Sequence, residues 1–553
     1  MQQKLIQLLQ RVIGEKVPIH LEIPKQKGHG DFSTNVAFLL AKEAKKNPRE
    51  LAQQFIEKMK PLPDWIEKVE VAGPGFINFH LTPKVFFEAL GDVCKQGEKF
   101  GRSSFGEGKK VILEFVSANP TGPLNIVSAR AAAIGDTLAN LLNAVGYNVT
   151  REFYVNDVGR QIDLFALSIA ARYKQVLGEA AEIPEEGYQG EYLKDLGKHL
   201  ALGKKKKYSL ADFRVIGLET MLAWQKKSLK NFGVEFDNWF LQSKLVGSKE
   251  FQKTLQQLEK SGHLYENDGA LFFKTTVFGD DKDRVVKKQD GEYTYFASDI
   301  VYHHNKFQRK FDWAIDLLGP DHHGYVARTK ASVEALGHKP EQLTVLIVQQ
   351  VNLIKEQVIV KMSKRAGRLV TMDDLITEVG KDVARFFFLQ RSASAHLDFD
   401  LELAKKETPE NPVFYIQYAH ARIASIFRKA TESKIKLNPK KVSLEVLDLP
   451  EEKELAKLVL HFPDLVLQAA KNLEPHLLAF YCLDLARQLQ AYYSQAKLDL
   501  RYRVIDPSNL KKTNAKLYLL KNIQIVLQNG LALLGISAPE KMEAKDVTGS
   551  LQQ

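Results

Sequence analysis

The stretch Glu114-Phe115-Val116-Ser117-Ala118-Asn119-Pro120-Thr121-Gly122-Pro123-Leu124-Asn125-Ile126-Val127-Ser128-Ala129-Arg130 joins two kinds of periodicity. Residues 111–116 form a short β-rich apolar run, and from Ile126 the spacing of Ile134, Leu138, Leu141, Leu142 and Val145 is that of a helix. A polar turn punctuated by Pro120, Gly122 and Pro123 separates them. The helix start therefore faces whatever occupies the turn, and its amides and dipole favour an anion such as a phosphate. A second strand is expected at 149–155, which closes a right-handed βαβ unit. Further strands at 311–318 and 343–348, separated by the turn Gly319-Pro320-Asp321-His322-His323-Gly324 and a helix to about residue 336, extend the alternation. A doubly wound parallel sheet explains this pattern and places ligands at the carboxyl ends of its strands.

Around this Rossmann-type unit the chain changes character. Its 553 residues exceed one ordinary core, so a multidomain α/β protein is expected. Residues 1–100 mix helices with strand-like alternation at Val69–Val71 and Phe76–Phe79, which suggests a small α+β domain. A Gly- and Ser-rich linker leads to the sheet domain at 105–405, which carries a mainly helical insertion at about 163–260. After Thr408-Pro409-Glu410-Asn411-Pro412 the chain is almost all helical, and 410–553 reads as an all-α domain.

The net charge of +11 and a pI near 9.1 favour a polyanionic partner. The Lys204–Lys207 run lies in a Gly-flanked stretch and reads as a solvated loop. No apolar run approaches a membrane span, and the N-terminus lacks a secretory h-region, so a cytoplasmic protein without membrane partners is expected. Two cysteines, Cys94 and Cys482, exclude a disulfide framework and a thiolate zinc knuckle built from this chain alone. His303-His304 and Asp321-His322-His323 invite a metal reading, but the aspartate motifs of the Asp-His-His phosphoesterases are missing, and no metal ligands are assigned.

The turn before the helix is neither a P-loop nor a Gly-x-Gly-x-x-Gly fingerprint. Instead, Pro120-Thr121-Gly122-Pro123-Leu124 opens the helix, and Lys361-Met362-Ser363-Lys364 follows far downstream. This ordered pair resembles the two signatures of the class I aminoacyl-tRNA synthetases. The resemblance narrows to arginyl-tRNA synthetases through Gly30–Asn35, Gly73–Asn78, Ser117–Leu124, Val155–Gln161, Gly187–Tyr192, Tyr295–Asp299, Asp321–Gly324 and Tyr418–Arg422, and covers nearly the whole chain. It implies activation of L-arginine by ATP with Mg²⁺, then transfer to tRNA(Arg). The N-terminal domain would read the tRNA elbow and the C-terminal helices the anticodon. A monomer is expected.

The resemblance also implies residue roles. Arginine carries five donors and no acceptor, so its pocket needs a carboxylate and further acceptors. Asp299 and Tyr295, at i and i+4, would hold the guanidinium. Asn119, Glu114 and Asp321 are further arginine candidates. Lys361 and Lys364 would act as catalytic cations on the departing pyrophosphate. The ATP set is Pro120, Gly122, Asn125, Val127, Ser128, His322, Lys361, Met362, Ser363 and Lys364. Phe76 and Asn78 are offered for the tRNA elbow, and Tyr415, Tyr418 and Arg422 for the anticodon side.

One departure stands out. The class I signature reads His-x-Gly-His, and here those positions are Asn125-Ile126-Val127-Ser128. Asn125 and Ser128 can still donate hydrogen bonds to phosphate. Val127 adds a branched side chain where glycine lets adenine approach bare backbone. The alternative is therefore a tRNA-binding regulatory paralogue with impaired adenylation. Retention of both lysines, Asn119, Tyr295 and Asp299 favours the enzyme, and the Asn125-to-Lys361 interval leaves little room for the editing domain of the valine, isoleucine and leucine enzymes.

Overall fold

The computed structural model describes residues 2–14, 17–22, 24, 27–203, 207–359, 370–439 and 442–542. The chain divides into two compact units. The first comprises Met1–Gly97, Ala430–Leu460 and Ala491–Ile523, and the second Glu98–Lys429, His461–Gln490 and Gln524–Gln553. The C-terminal helical stretch thus contributes residues to both.

In the first unit an antiparallel sheet, ordered Phe32–Thr34, Phe76–Leu81, Ile66–Ala72, packs with helices Val36–Ala44 and Pro48–Lys58. The expected α+β character of residues 1–100 is what forms. Asp31 fixes the sheet edge by accepting the Leu81 amide at 2.6 Å, and Lys457 pairs with the same carboxylate. Asn78 is 2% exposed and accepts the Ser33 hydroxyl at 2.7 Å, so its side chain is buried and braces two strands.

The second unit is built on five parallel strands, in the order Leu343–Ile347, Trp313–Leu318, Lys110–Glu114, Asn148–Val155, Asn238–Leu241. This is the doubly wound order, and the topological switch lies between Lys110–Glu114 and Trp313–Leu318. The helix Ile126–Ala144 lies against the sheet through Gly135, where an added Cβ would stand 2.3 Å from the Phe115 ring. The first strand ends early because Val116 and Ser117 take φ of 68° and 38°. A β-branched residue in the left-handed region is strained and marks the turn as one held by its surroundings.

The stretch 163–260 is mainly helical, with one strand in its second half. Helices Arg160–Val176, Glu191–Leu202 and Leu210–Asn231 occupy the first part, but Asn238–Leu241 is the edge strand of the parallel sheet. Its four residues are too short to show a period, and aromatic packing places them, with Trp239 stacked 4.2 Å from Phe153. By length and composition the helix Leu510–Leu534 could cross a membrane, contrary to the expectation from the sequence. Within the protein, 78% of its apolar window is buried, as in a core helix.

Candidate active site

At the switch point the sheet opens into a cavity of about 570 Å³. Glu114 and Asp316 are register partners on the two central strands, so two carboxylates stand side by side at the carboxyl edge. Lys306 answers both, with Nζ at 2.6 Å from Glu114 Oε2 and 2.6 Å from Asp316 Oδ1, and is itself fully buried. Burial opposes its charge, yet Asp316 and Glu114 hold it above the ordinary lysine range. A buried cation bonded this way stabilises the two acids that would otherwise repel. Beneath it, Arg309 and the Tyr302 hydroxyl bond to Glu152, the Tyr302 contact at 2.8 Å.

The helix Tyr295–Gln308 begins after Thr294, whose hydroxyl caps the Ala297 amide at 3.4 Å. That start places Tyr295 and Asp299 one turn apart, and both line the cavity. Burial pushes the Asp299 carboxyl up to about 6, with Glu114 and Asp316 adding to the shift and His303 and Lys306 opposing it. Among the described residues no side chain donates to the Asp299 carboxylate. A half-buried carboxylate without a donor, in a cavity, suits a cationic ligand rich in N–H groups.

Glu114, Asn119 and His322 line the same cavity as Tyr295 and Asp299. Asn119 donates to Gln161 at 2.7 Å, and Glu114 Oε1 accepts the Ser117 hydroxyl at 2.9 Å. Asp321 and His322 are both exposed on the short 3-10 turn Pro320–His322, and of the two only His322 lines the cavity. Pro120 and Gly122 are buried beneath the surface of the turn. The turn is clamped from behind: Tyr192 donates to Thr121 O at 2.6 Å, and the fully buried Gln225 donates to Gly122 O at 3.0 Å. Gly187–Tyr192, quoted above only as a family stretch, thus supplies a clamp.

Asn125 is the N-cap of Ile126–Ala144, its Oδ1 accepting both the Ser128 amide at 2.9 Å and the Ser128 hydroxyl at 3.1 Å. The pair therefore satisfies the first turn from within. Neither residue, nor the half-buried Val127, lies on the cavity wall. One turn on, fully buried Arg130 donates to Gln349 O, Ser392 O and Ala395 O at 2.8–2.9 Å and to Gln350 O at 3.3 Å. It joins the helix to the strand Val351–Lys355, which leads by way of Val358–Ile359 towards Lys361. On the far side, Thr371 bridges Asn125, and Met372 donates to Leu124 O at 2.8 Å. Lys361, Met362, Ser363 and Lys364 lie outside the described residues, but the chain on both sides of them is tied to the start of the same helix.

The residues offered for RNA sit elsewhere. Phe76 is half-buried, 5.4 Å from Phe38 in an edge-on contact. On the helix Pro412–Glu432, Arg422 lies 4.6 Å over the Tyr418 ring and donates to its hydroxyl at 2.8 Å, with Tyr415 half-buried nearby in sequence. Sequence reasoning missed Lys306, Tyr154 and Gln225, took up His303 only for a metal reading, and quoted Arg130 without a role. Tyr154 stands next to the quoted Val155–Gln161 stretch.

Three family profiles match the chain in order. They are the arginyl-tRNA synthetase N-terminal domain at 1–81, the catalytic domain of class I tRNA synthetases (R) at 90–390, and the DALR anticodon-binding domain at 416–542. An arginine–tRNA ligase of Listeria monocytogenes is 46% identical over 531 residues, 95% of this chain and 94% of its own. That of Citrifermentans bemidjiense is 44% identical over 536 residues, 96% of each chain. The fold matches the arginyl-tRNA synthetase of Thermus thermophilus with a TM-score of 0.77 at 22% identity, covering 98% of this chain and all of that one. With family models over most of its length and relatives 44–46% identical over nearly the whole chain, the chain belongs to the arginyl-tRNA synthetase family of class I.

Proposed function

We propose that the chain ligates L-arginine to tRNA(Arg) at the expense of ATP. The observation that carries this reading is the cavity at the switch point, in which Asp299 and Tyr295 stand one turn apart with no donor among the described residues answering the carboxylate. In the first step an arginine carboxylate oxygen attacks the α-phosphorus of ATP, and the bond to pyrophosphate breaks. The terminal ribose hydroxyl of tRNA then attacks the arginyl carbonyl, and AMP leaves. Asp299 and Tyr295 take the guanidinium, and Glu114 and Asn119 face the amino-acid end. ATP, with Mg²⁺ on its phosphates, lies at the start of Ile126–Ala144, where helix polarity favours anions. Asn125 keeps its Nδ2 group for this purpose. His322 reaches the ligand from the opposite strand. The paralogue reading has no support, since the relatives matched over nearly the whole chain are ligases.

Domain roles follow the same reading: 1–100 binds the tRNA elbow with Phe76, 105–405 performs catalysis, and 410–553 binds the anticodon with Tyr415, Tyr418 and Arg422. The enzyme acts as a cytoplasmic monomer without a membrane partner. Arginine- and tRNA-dependent exchange of pyrophosphate into ATP tests the chemistry. Replacing Lys361 or Lys364 by Ala lowers the exchange rate by about 10²–10³-fold, the usual cost of a lost charge stabiliser, while arginine affinity holds. Unchanged exchange in both variants would remove the lysine clamp.

A further inference from the structure

We propose that Ser117 is the positioning residue that aims Glu114 at the α-ammonium group of the amino-acid substrate. The inference rests on the reading of Glu114 as a partner of the amino-acid end. The register of the strands Lys110–Glu114 and Asn148–Val155 sets what the next hydrogen bond should be. Asn148 donates its amide to Lys109 O at 2.9 Å and Phe115 donates to Glu152 O at 3.4 Å, so in a continued ladder the Tyr154 amide would fall to Phe115 O. The chain does otherwise. Phe115 O accepts the Ser117 amide at 2.9 Å, across a three-residue turn centred on Val116 with φ of 68°. Such a turn with positive φ is the rare and strained kind, and a β-branched centre makes it more so. The Tyr154 amide goes instead to the Ser117 hydroxyl oxygen at 3.1 Å. A side chain has taken the place of a backbone acceptor.

That exchange leaves Ser117 one hydrogen to give, and Glu114 Oε1 receives it at 2.9 Å. Glu114 Oε2 is held by Lys306 at 2.6 Å. Both oxygens of the carboxylate are thus tied, which fixes its orientation, while each keeps a further lone pair for a ligand. The strained turn is gripped at both ends. Phe115 is fully buried with its ring packed against Gly135, and Gln225 donates to Asn119 O at 3.2 Å and to Gly122 O at 3.0 Å. Strain kept in place by its surroundings clusters at functional sites. Glu114, Val116 and Ser117 all line the cavity that Asp299 lines. An ammonium, with three donors and no acceptor, fits an oriented carboxylate there.

The test separates the two ends of the ligand. The full-length protein is titrated calorimetrically with arginine, with 5-guanidinopentanoate, which lacks the α-amino group, and with agmatine, which lacks the carboxylate. In Ser117→Ala the Kd for arginine and for agmatine rises about tenfold, and that for 5-guanidinopentanoate stays within about twofold. All three weakening together, as for a merely structural role, or none weakening, would overturn the proposal. So would a loss for arginine but not for agmatine, which would put Ser117 at the carboxylate. Glu114→Gln measured alongside separates the two readings. If it treats arginine and 5-guanidinopentanoate alike, the assignment of Glu114 is rejected; if it weakens arginine selectively while Ser117→Ala does not, only the role of Ser117 is rejected. Should the Ala variant fold poorly, Ser117→Gly removes the same hydroxyl at a residue whose φ of 38° suits glycine, and the same selective loss is expected.

Discussion

Replacing Asp299 by Asn lowers kcat/KM for arginine by about 10²–10³-fold, the loss expected when one partner of a buried charge pair is truncated. The amide keeps the volume and one acceptor oxygen but removes the charge that a guanidinium needs. The KM for ATP stays within about twofold, because the proposed place of ATP is the start of Ile126–Ala144 and not Asp299. The same argument fixes a pH dependence in the unmodified enzyme. Burial raises the free Asp299 carboxyl to about 6, and arginine binds the ionised form. Arginine affinity is therefore full above that value and is lost as pH falls through it, with the bound carboxylate holding its charge to lower pH than the free one. Steady-state kinetics from pH 5 to 9 measure both effects. An arginine KM that ignores both the substitution and the pH would place the pocket elsewhere.

The second large effect is on stability. Lys306→Met strips the shared cation from Glu114 and Asp316, which face each other across the two central strands at the switch point. Removing one partner from a buried ionic cluster costs about 3–5 kcal/mol, because the acids left behind keep their desolvation without its compensation. A lowered thermal midpoint and a lowered denaturant midpoint report it. Adding Glu114→Gln to Lys306→Met restores part of the loss, since one unmatched charge is then gone. Equal stability of the single variant and the unmodified protein would mean that the acids are neutralised by some other group.

Much of the fold is legible in the sequence because it is local. The strands expected at 111–116, 149–155, 311–318 and 343–348 are found at 110–114, 148–155, 313–318 and 343–347. Apolar β-rich runs bounded by turns are read within a few residues of their true ends. The Tyr295-x-x-x-Asp299 spacing likewise puts both groups on one helical face, and both side chains reach the cavity. What stays hidden is nonlocal. Lys306 meets Glu114 across 192 positions, and nothing in its own helix marks it as the partner of a distant carboxylate. Gln225 sits on a helix with little amphipathic character, and only the fold shows that it is buried and holds Gly122. Asn125 resembles a catalytic position by its place in the motif. Its spacing to Ser128 is also that of an N-cap, and the cap is what the structure shows.

The reading that joins these parts is that a guanidinium is recognised by charge at Asp299 and the amino acid is then passed to tRNA. The most direct measurement of it compares tRNA charging by arginine and by citrulline, which has nearly the same shape and no charge, with purified protein, ATP and Mg²⁺. The account predicts charging with arginine and a rate with citrulline lower by at least about 10³-fold, as for a site whose buried polar groups are left unpaired by the analogue. Absence of arginine charging in protein that still binds tRNA(Arg), or comparable charging with citrulline, would contradict it.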